Sequence, residues 1–288
     1  MDLSIAFGLL AALCWGTSDY VAKLATERIG YLRTATLMQY MGGAFMLLLT
    51  FRDLPILWQF PSATYFLLGV STVNVLASVA LLKSFQVGQL SIVSPIASSY
   101  PALSTVLGVL LLNELLPQAR LYGIVAILIG IILVSMQRRP KNGSDGRPIA
   151  AGVGYAFLSF ASMGVLYFAL KIVVADLGGL LPVLVLRGMS AIILTVALAL
   201  NRSRAGYVTH SRVSFGLVAF VGVGDSIANI LYNLGIIIGT VAVVSTLSGL
   251  FSAVTVLLAC VFLKERPAKH QAIGFLAILI GVSVIGYF

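Results

Sequence analysis

The chain has 288 residues, of which 60% are hydrophobic and 9% are charged, and its formal net charge is +9. A soluble domain carries about 25% charged residues, so this composition excludes a water-soluble globular protein and predicts a polytopic membrane protein. The basic residues lie mostly between apolar segments, where they orient a membrane protein during insertion. The positive charge is therefore not a sign of nucleic-acid binding.

The first apolar segment begins at Leu3 with no basic region before it, so we expect a spanning helix there rather than a cleaved signal peptide. A helix needs about 20 largely apolar residues to cross a bilayer. The sequence predicts ten such spans, at residues 3–22, 32–51, 63–82, 90–112, 118–136, 149–170, 181–200, 213–234, 240–262 and 269–287. The central connection, 138–148, is charged and rich in Gly and Pro, which is typical of a linker.

The two halves of the chain repeat each other. GIVAILIG at residues 123–130 and GFLAILIG at residues 274–281 are identical at six of eight positions. Similar spacings pair further residues: Gly88 with Gly239, Ser94 with Ser245, Glu114 with Glu265, Lys23 with Lys171, Gln39 with Arg187, and Asn74 with Asp225. The glycines are predicted to let helices approach closely, and the two glutamates are interpreted as structural.

Each repeat contains five predicted spans, the first within residues 1–137 and the second within 149–288. Because five is odd, the repeats are predicted to lie in the membrane with opposite orientation, which is typical of secondary transporters. The predicted fold is an all-α integral membrane protein with ten transmembrane helices in two inverted five-helix repeats. An excess of Lys and Arg in the connections after odd-numbered spans predicts that both termini lie outside the cytoplasm.

A short pattern recurs near the end of each half and links the chain to a known family. Its residues are Val93, Ser94, Pro95, Glu114, Gly123 and Gly130, and then Val244, Ser245, Thr246 in place of proline, Glu265, Gly274 and Gly281. With ten spans in two halves, this pattern resembles the EamA family of the drug/metabolite transporter superfamily. The resemblance implies a multi-pass carrier of a bacterial-type inner membrane, typically an exporter of amino acids or other small metabolites with its termini inside.

Ionisable residues are costly within a span, so each one suggests a function. Trp15, Asp19 and Lys23 follow one another at helical spacing on one face of the first span. Asp19 and Lys23 are placed to form an ion pair. The alternative is that Lys23 marks the end of the helix and extends to the interface.

The eighth span carries a polar stripe at Asp225, Asn229, Tyr232 and Asn233. Such a face is too costly to expose to lipid, so it is expected to face a polar cavity. Hydrogen bonding between helices is the alternative. Asn74, the repeat partner of Asp225, would lie on the matching helix of the other half.

Arg187 lies inside the seventh span, and its planar guanidinium suits a carboxylate of the substrate or of the protein, from Asp19 or Asp225. An internal ion pair is the alternative. The other candidates for substrate binding are Gln39 and the small hydroxyl residues Ser94, Ser98 and Ser245. Weaker candidates are Tyr20, Tyr100 and Tyr167, since tyrosine also belongs to interfacial belts.

The sequence contains no motif for catalysis, a metal, a cofactor or ATP hydrolysis. We therefore expect a secondary transporter rather than an enzyme, with a small-molecule substrate and no nucleic-acid partner. The mixture of charges favours amino acids or related zwitterions, and proton coupling would run through Asp19 and Asp225. Two alternatives stay open: an efflux carrier for lipophilic or cationic drugs, and a non-transport membrane protein. Both a monomer and a homodimer are compatible with the sequence.

Overall fold

The computed structural model describes residues 3–88, 90–113, 117–135, 149–200, 212–262 and 269–287, and these residues form thirteen α-helices and no strand. The first seven helices are α1 (Leu3–Ile29), α2 (Tyr31–Thr50), α3 (Ile56–Gln59), α4 (Pro61–Val87), α5 (Leu90–Ser98), α6 (Tyr100–Leu112) and α7 (Gln118–Ser135). The other six are α8 (Ile149–Leu177), α9 (Leu181–Leu200), α10 (Arg212–Ile238), α11 (Val241–Ser248), α12 (Phe251–Phe262) and α13 (Lys269–Tyr287). The predicted linker at 138–148, Glu114 and Glu265 lie outside the described residues.

Within the described residues, six segments are long and apolar enough to cross a membrane. They are Leu3–Ile29, Pro61–Val87, Gly152–Leu177, Leu181–Leu200, Arg212–Ile238 and Val241–Phe262. The all-helical membrane architecture is therefore confirmed, and the number of ten crossings stays a prediction. The short helix α3, in the connection after α2, was not expected from the sequence.

The fourth segment of each repeat is a broken helix. In the first repeat, α5 ends at Ser98 and α6 begins at Tyr100, with Pro101 in its first turn. In the second repeat, α11 ends at Ser248 and α12 begins at Phe251. At each break, a backbone N–H donates to the carbonyl oxygen three residues earlier instead of four. Examples are Ser99 N to Ile96 O (3.2 Å) and Leu250 N to Leu247 O (3.1 Å). Breaks at matching places are typical of transporters built from repeats.

The main helix contacts join one repeat to the other. Helix α1 packs on α10, α4 on α8, α2 on α9, and α7 on α13. The contacts match in detail: a Cβ on Gly16 would lie 2.5 Å from Cβ of Val254, and one on Gly164 would lie 2.7 Å from Cβ of Leu103. These pairs exchange under the repeat, because Gly164 corresponds to Gly16 and Val254 to Leu103. The halves are thus intertwined around an approximate two-fold axis, and the buried core lies between them.

The glycines of the repeated octets allow a close approach of helices, as predicted, and the structure shows that the two octets pack against each other. A Cβ on Gly130 would lie 2.7 Å from the carbonyl oxygen of Gly274, and one on Gly281 would lie 2.7 Å from the carbonyl oxygen of Gly123. These distances are too short for a real side chain. Helices α7 and α13 therefore approach this closely only because both positions are glycine.

Candidate functional site

A small cavity of about 40 Å³ lies between the two repeats, enclosed by α1, α2, α4, α8 and α10. Its polar lining residues are Ser18, Asp19, Asn74, Ser78, Tyr167, Asp225 and Asn229. Most of the remaining wall is apolar, with Met38, Leu81 and Leu82 among its members. The structure thus brings together acids and amides that the sequence places on three different helices. We call this the central cavity.

Beside the central cavity, Arg187 forms an ion pair with Asp225. The Arg187 side chain is 4% exposed, and that of Asp225 is 22% exposed. Arg187 Nη1 also donates to Gln39 Oε1 at 2.8 Å, and Asn229 Nδ2 donates to the backbone carbonyl oxygen of Asp225 at 2.7 Å. The guanidinium is therefore held from two sides, and Asp225 is the one of its two partners that reaches the cavity.

Gln39 and Arg187 occupy the same position in their respective repeats. Two residues that are related by a two-fold axis can touch only if both lie near that axis. Their 2.8 Å hydrogen bond therefore places the Arg187–Asp225 pair close to the axis that relates the two halves. This is the location where carriers built from inverted repeats bind their solute.

Asp19 is the other carboxylate of the central cavity, and it is 9% exposed. Within the described part of the chain, Asp19 has no ion-pair or hydrogen-bond partner. Two further groups are buried without a partner among the described residues: Ser18 Oγ, on a residue that lines the cavity, and Gln39 Nε2, beside Arg187 and outside the cavity lining. Buried polar groups are nearly always hydrogen-bonded, so these unpaired groups are exceptional.

Asn74 Nδ2 donates to Ser190 Oγ at 2.9 Å, which links α4 to α9. Ser190 was not predicted as part of the site, although it lies three residues after Arg187, on the same helix face. Ser18 and Tyr167 also line the cavity, and only Tyr167 was named from the sequence, as a weaker candidate. Their inclusion depends on how α1 and α8 are rotated, which the spacing of polar residues alone does not fix.

An aromatic cluster lies next to the central cavity and shares Tyr167 with it. Trp15 is its centre, with ring centroids at 5.2 Å from Tyr167, 5.8 Å from Tyr232, 6.2 Å from Phe251 and 6.5 Å from Tyr100. The predicted residues Tyr232 and Ser245 are joined by a 2.6 Å hydrogen bond. The hydroxyls of Tyr100 and Tyr232 are thus hydrogen-bonded inside an apolar core, to Ser248 and Ser245 respectively, as buried tyrosines require.

Lys23 does not line the cavity, because its side chain binds a carbonyl oxygen near the end of α4. Its Nζ donates to the carbonyl oxygen of Phe85 at 2.7 Å and pairs with Glu27 at 3.0 Å, so the expected Asp19–Lys23 pair does not form. Lys171, its repeat partner, donates to the carbonyl oxygens of Ile236 and Gly239. Both lysines satisfy terminal carbonyls of a helix in the membrane, where the negative end of the helix favours a cation.

Three further candidates also lie outside the lining of the central cavity. Asn233 Nδ2 donates to the carbonyl oxygen of Gly179 at 2.9 Å and so ties α10 to the turn between α8 and α9. Ser94 and Ser98 are fully buried in α5. Among the described residues, no group of three His, Cys, Asp or Glu side chains is placed to hold a metal ion. The site that the structure shows is therefore a charged and amide-lined cavity beside an aromatic cluster.

Comparisons with known proteins identify the family and the fold of the chain. The model of the EamA-like transporter family matches residues 2–136 and again residues 150–287. An uncharacterized protein of Methanocaldococcus jannaschii is 33% identical over 138 residues, which cover 98% of that protein and 47% of this chain. That relative is thus about one repeat long.

A solved crystal structure superimposes with a TM-score of 0.75 over 98% of this chain and 95% of its own, at 19% identity, which supports the fold. The family match over two repeats accounts for nearly the whole chain. This chain belongs to the EamA-like transporter family, within the drug/metabolite transporter superfamily.

Proposed function

We propose that this family member is a secondary transporter that carries small zwitterions, amino acids above all, by alternating access. The observation that carries the proposal is the pairing of Arg187 with Asp225 at the approximate two-fold axis, beside a second carboxylate, Asp19. A site on the axis belongs equally to both repeats. Exchange of conformation between the repeats would therefore open the site to either side in turn.

The charges at the site favour a solute with an ammonium group. With all three groups ionised, Asp19, Asp225 and Arg187 carry one net negative charge. Asp19 has no cation beside it in the described residues, so the ammonium of an amino acid would supply one. The carboxylate of the solute would then replace Asp225 on the guanidinium, whose fork suits a carboxylate.

The central cavity is too small for such a solute in this conformation. Pockets for small molecules measure about 300–1,000 Å³, whereas this one measures about 40 Å³. The helices around it must therefore separate before an amino acid enters. A closed site with unpaired polar groups fits a resting state of a carrier between its two open states.

Proton coupling is part of the proposal, with Asp19 as the proton acceptor. A proton on Asp19 would neutralise a buried charge without breaking an ion pair, whereas a proton on Asp225 would leave Arg187 unpaired. Export as the direction of flux, and a bacterial-type inner membrane as the location, are proposed from the family membership.

A second candidate is an efflux carrier for lipophilic cations. The aromatic cluster around Trp15 favours it, because aromatic faces attract cations and Tyr167 belongs to both the cluster and the central cavity. Such a solute would need the acids of the site but not Arg187. The two candidates thus differ in their dependence on one residue.

The test is counterflow in liposomes that contain the purified protein. The probes are a labelled mixture of amino acids and, in parallel, the amines that lack the α-carboxylate. We expect amino-acid exchange that falls by about tenfold or more in Arg187→Ala, while the exposed-residue control Arg52→Ala keeps the wild-type rate. Amine exchange that is insensitive to Arg187→Ala would instead support the cation carrier.

A structural role for Arg187 is separated by a double variant, Arg187→Met with Asp225→Leu. Replacing both members of a buried pair by apolar residues is often neutral or stabilising, whereas removing one member leaves an unpaired charge. We expect the double variant to unfold at the wild-type temperature or above and to exchange no amino acid. Exchange at the wild-type rate in this variant would rule out the proposed site.

A further inference from the structure

A second and larger cavity, of about 500 Å³, lies at the end of the molecule where α1 ends and α8 begins. We call it the basic vestibule. Its lining includes Gly30, Tyr31, Arg33, Lys83, Gln86 and Tyr155. Two cations line this vestibule, and no acidic residue is among its described lining. A concave site with unbalanced positive charge is a candidate for binding an anion.

Both cationic side chains are partly buried. Arg33 Nη1 is buried and has no hydrogen-bond partner within the described residues. Lys83 Nζ lies 4.3 Å from the centroid of the Tyr31 ring and 3.4 Å from Gln86 Oε1. A buried guanidinium nitrogen without an acceptor is costly, and a bound oxyanion would satisfy it once the Arg33 side chain turns toward the vestibule.

The other repeat provides an internal comparison. Gly30 and Gly178 are repeat partners and share a left-handed conformation, with φ of 82° and 70°. The two cations near Gly30, however, are replaced by leucines in the second repeat: Leu181 corresponds to Arg33, and Leu234 to Lys83.

Free space at the two glycines does not differ, because a Cβ on Gly30 and a Cβ on Gly178 would each meet nothing within 4 Å. The difference between the two ends is therefore one of charge. The fold by itself does not require a charged vestibule, and the charge comes from Arg33 and Lys83, whose counterparts in the second repeat are leucines.

The vestibule and the central cavity share four helices, α1, α2, α4 and α8. Along α1, the ten residues from Asp19 to Ile29 correspond to about 15 Å at 1.5 Å per residue. Apolar side chains lie between the two cavities, with Leu81 and Leu82 against the central cavity. The vestibule thus lies toward one end of the helices that also enclose the central cavity.

The ordinary explanation for Arg33 and Lys83 is that they orient the protein during insertion, as basic residues at the cytoplasmic ends of helices do. That role requires only charge near the interface. It does not require a buried, unpaired guanidinium nitrogen or a cavity around it. Insertion signals therefore leave the geometry of this end unexplained.

We propose that the basic vestibule binds an oxyanion, a carboxylate or phosphate group held by Arg33 and Lys83. The group belongs either to a soluble solute or to the headgroup of an anionic lipid. In both cases the oxyanion accepts hydrogen bonds from Arg33 Nη1 and from Lys83 Nζ. The binding stands apart from the proposed function, since it can be measured without transport.

The test uses the full chain, purified in a maltoside detergent without phosphate or anionic lipid. Isothermal titration with inorganic phosphate and with acetate measures the soluble source. Native mass spectrometry with phosphatidylglycerol, and with phosphatidylcholine for comparison, measures the lipid source. The variants are Arg33→Gln and Lys83→Leu, the latter placing in the vestibule the residue type that the second repeat has at this position. Arg52→Gln is the control for a cation outside the vestibule.

We expect phosphate, acetate or phosphatidylglycerol to bind the wild type and to bind each vestibule variant about tenfold or more weakly, with no change in Arg52→Gln. Binding of the free ions would identify a soluble source, and binding of phosphatidylglycerol alone would identify a headgroup. Absence of binding by all three anions would overturn the proposal. Equal affinity in the wild type and both vestibule variants would overturn it as well.

Discussion

Arg187 shows how a single residue connects packing with function. A buried ion pair often adds little net stability, because the desolvation of both charges offsets their attraction. The pair with Asp225 is therefore poorly explained as a device for stability alone. Under the proposed function, a solute carboxylate would take the place of Asp225, whose side chain is 22% exposed. Asp19 complements the pair as a buried carboxylate without a partner in the described residues.

Asp19→Asn is expected to separate exchange from coupling. The wild type should concentrate its solute in liposomes when a pH gradient is imposed, because the carrier moves a proton with each cycle. Asn is isosteric with a protonated Asp but carries no charge for the solute ammonium, so the variant should exchange solute more weakly than the wild type and should not accumulate it. Labelled solute inside the liposomes is measured with and without the gradient.

The control for this prediction is Asp176→Asn, which changes an exposed acid at the end of α8. That variant should accumulate solute as the wild type does. Gradient-driven accumulation in Asp19→Asn at the wild-type level would remove Asp19 from the coupling mechanism. A wild type that never accumulates solute would show facilitated diffusion instead.

At the scale of elements, the ends and the faces of helices are stabilised by contacts that occur once in each repeat. Lys23 and Lys171 each satisfy carbonyls at the end of a helix, and Gly130 and Gly281 each admit the backbone of a facing helix. Such contacts occur in pairs because the sequence is repeated. A change at one member should therefore be felt across the interface between the repeats.

Gly130→Ala is expected to destabilise the packing of α7 on α13. The new Cβ would lie 2.7 Å from the carbonyl oxygen of Gly274 and 2.9 Å from the backbone nitrogen of Ile278, so one helix must move. We expect a loss of about 1–3 kcal/mol in the free energy of unfolding, as for other overpacked sites. Thermal unfolding in detergent measures the loss.

Gly69→Ala is the matched control, because a Cβ at Gly69 would meet nothing within 4 Å. Alanine favours a helix over glycine, so this variant should be as stable as the wild type or more stable. Equal unfolding temperatures for Gly130→Ala and the wild type would show that the close approach of α7 and α13 is not required.

At the scale of the molecule, the sequence predicts the features that repeat and the features that follow helical spacing. It predicts the polar face at Asp225 and Asn229, the close packing of the octets and the family. It does not predict that Lys23 reaches the carbonyl of Phe85, because that contact depends on where α4 ends beside α1. Nor does it predict Ser190 in the site, which depends on the rotation of α9.

Alignment of the repeats shows that the two ends of the molecule differ in charge, but it does not predict the basic cavity. Gly30 and Gly178 match in sequence and in conformation, and the basic vestibule lies beside the first. The cavity arises from side chains that meet only after the helices have packed.

The most direct measurement of alternating access is a pair of distances, one at each end. Spin labels are placed at Arg28 and Gly154 beside the basic vestibule, and at the repeat-related positions Asp176 and Ala6 at the other end. Cys14 and Cys260 are replaced by alanine. Double electron–electron resonance then measures the two distances with and without the solute identified by counterflow. We predict that solute shifts the two distances in opposite directions. Distances that stay fixed, or that lengthen together, would contradict alternating access around the central cavity.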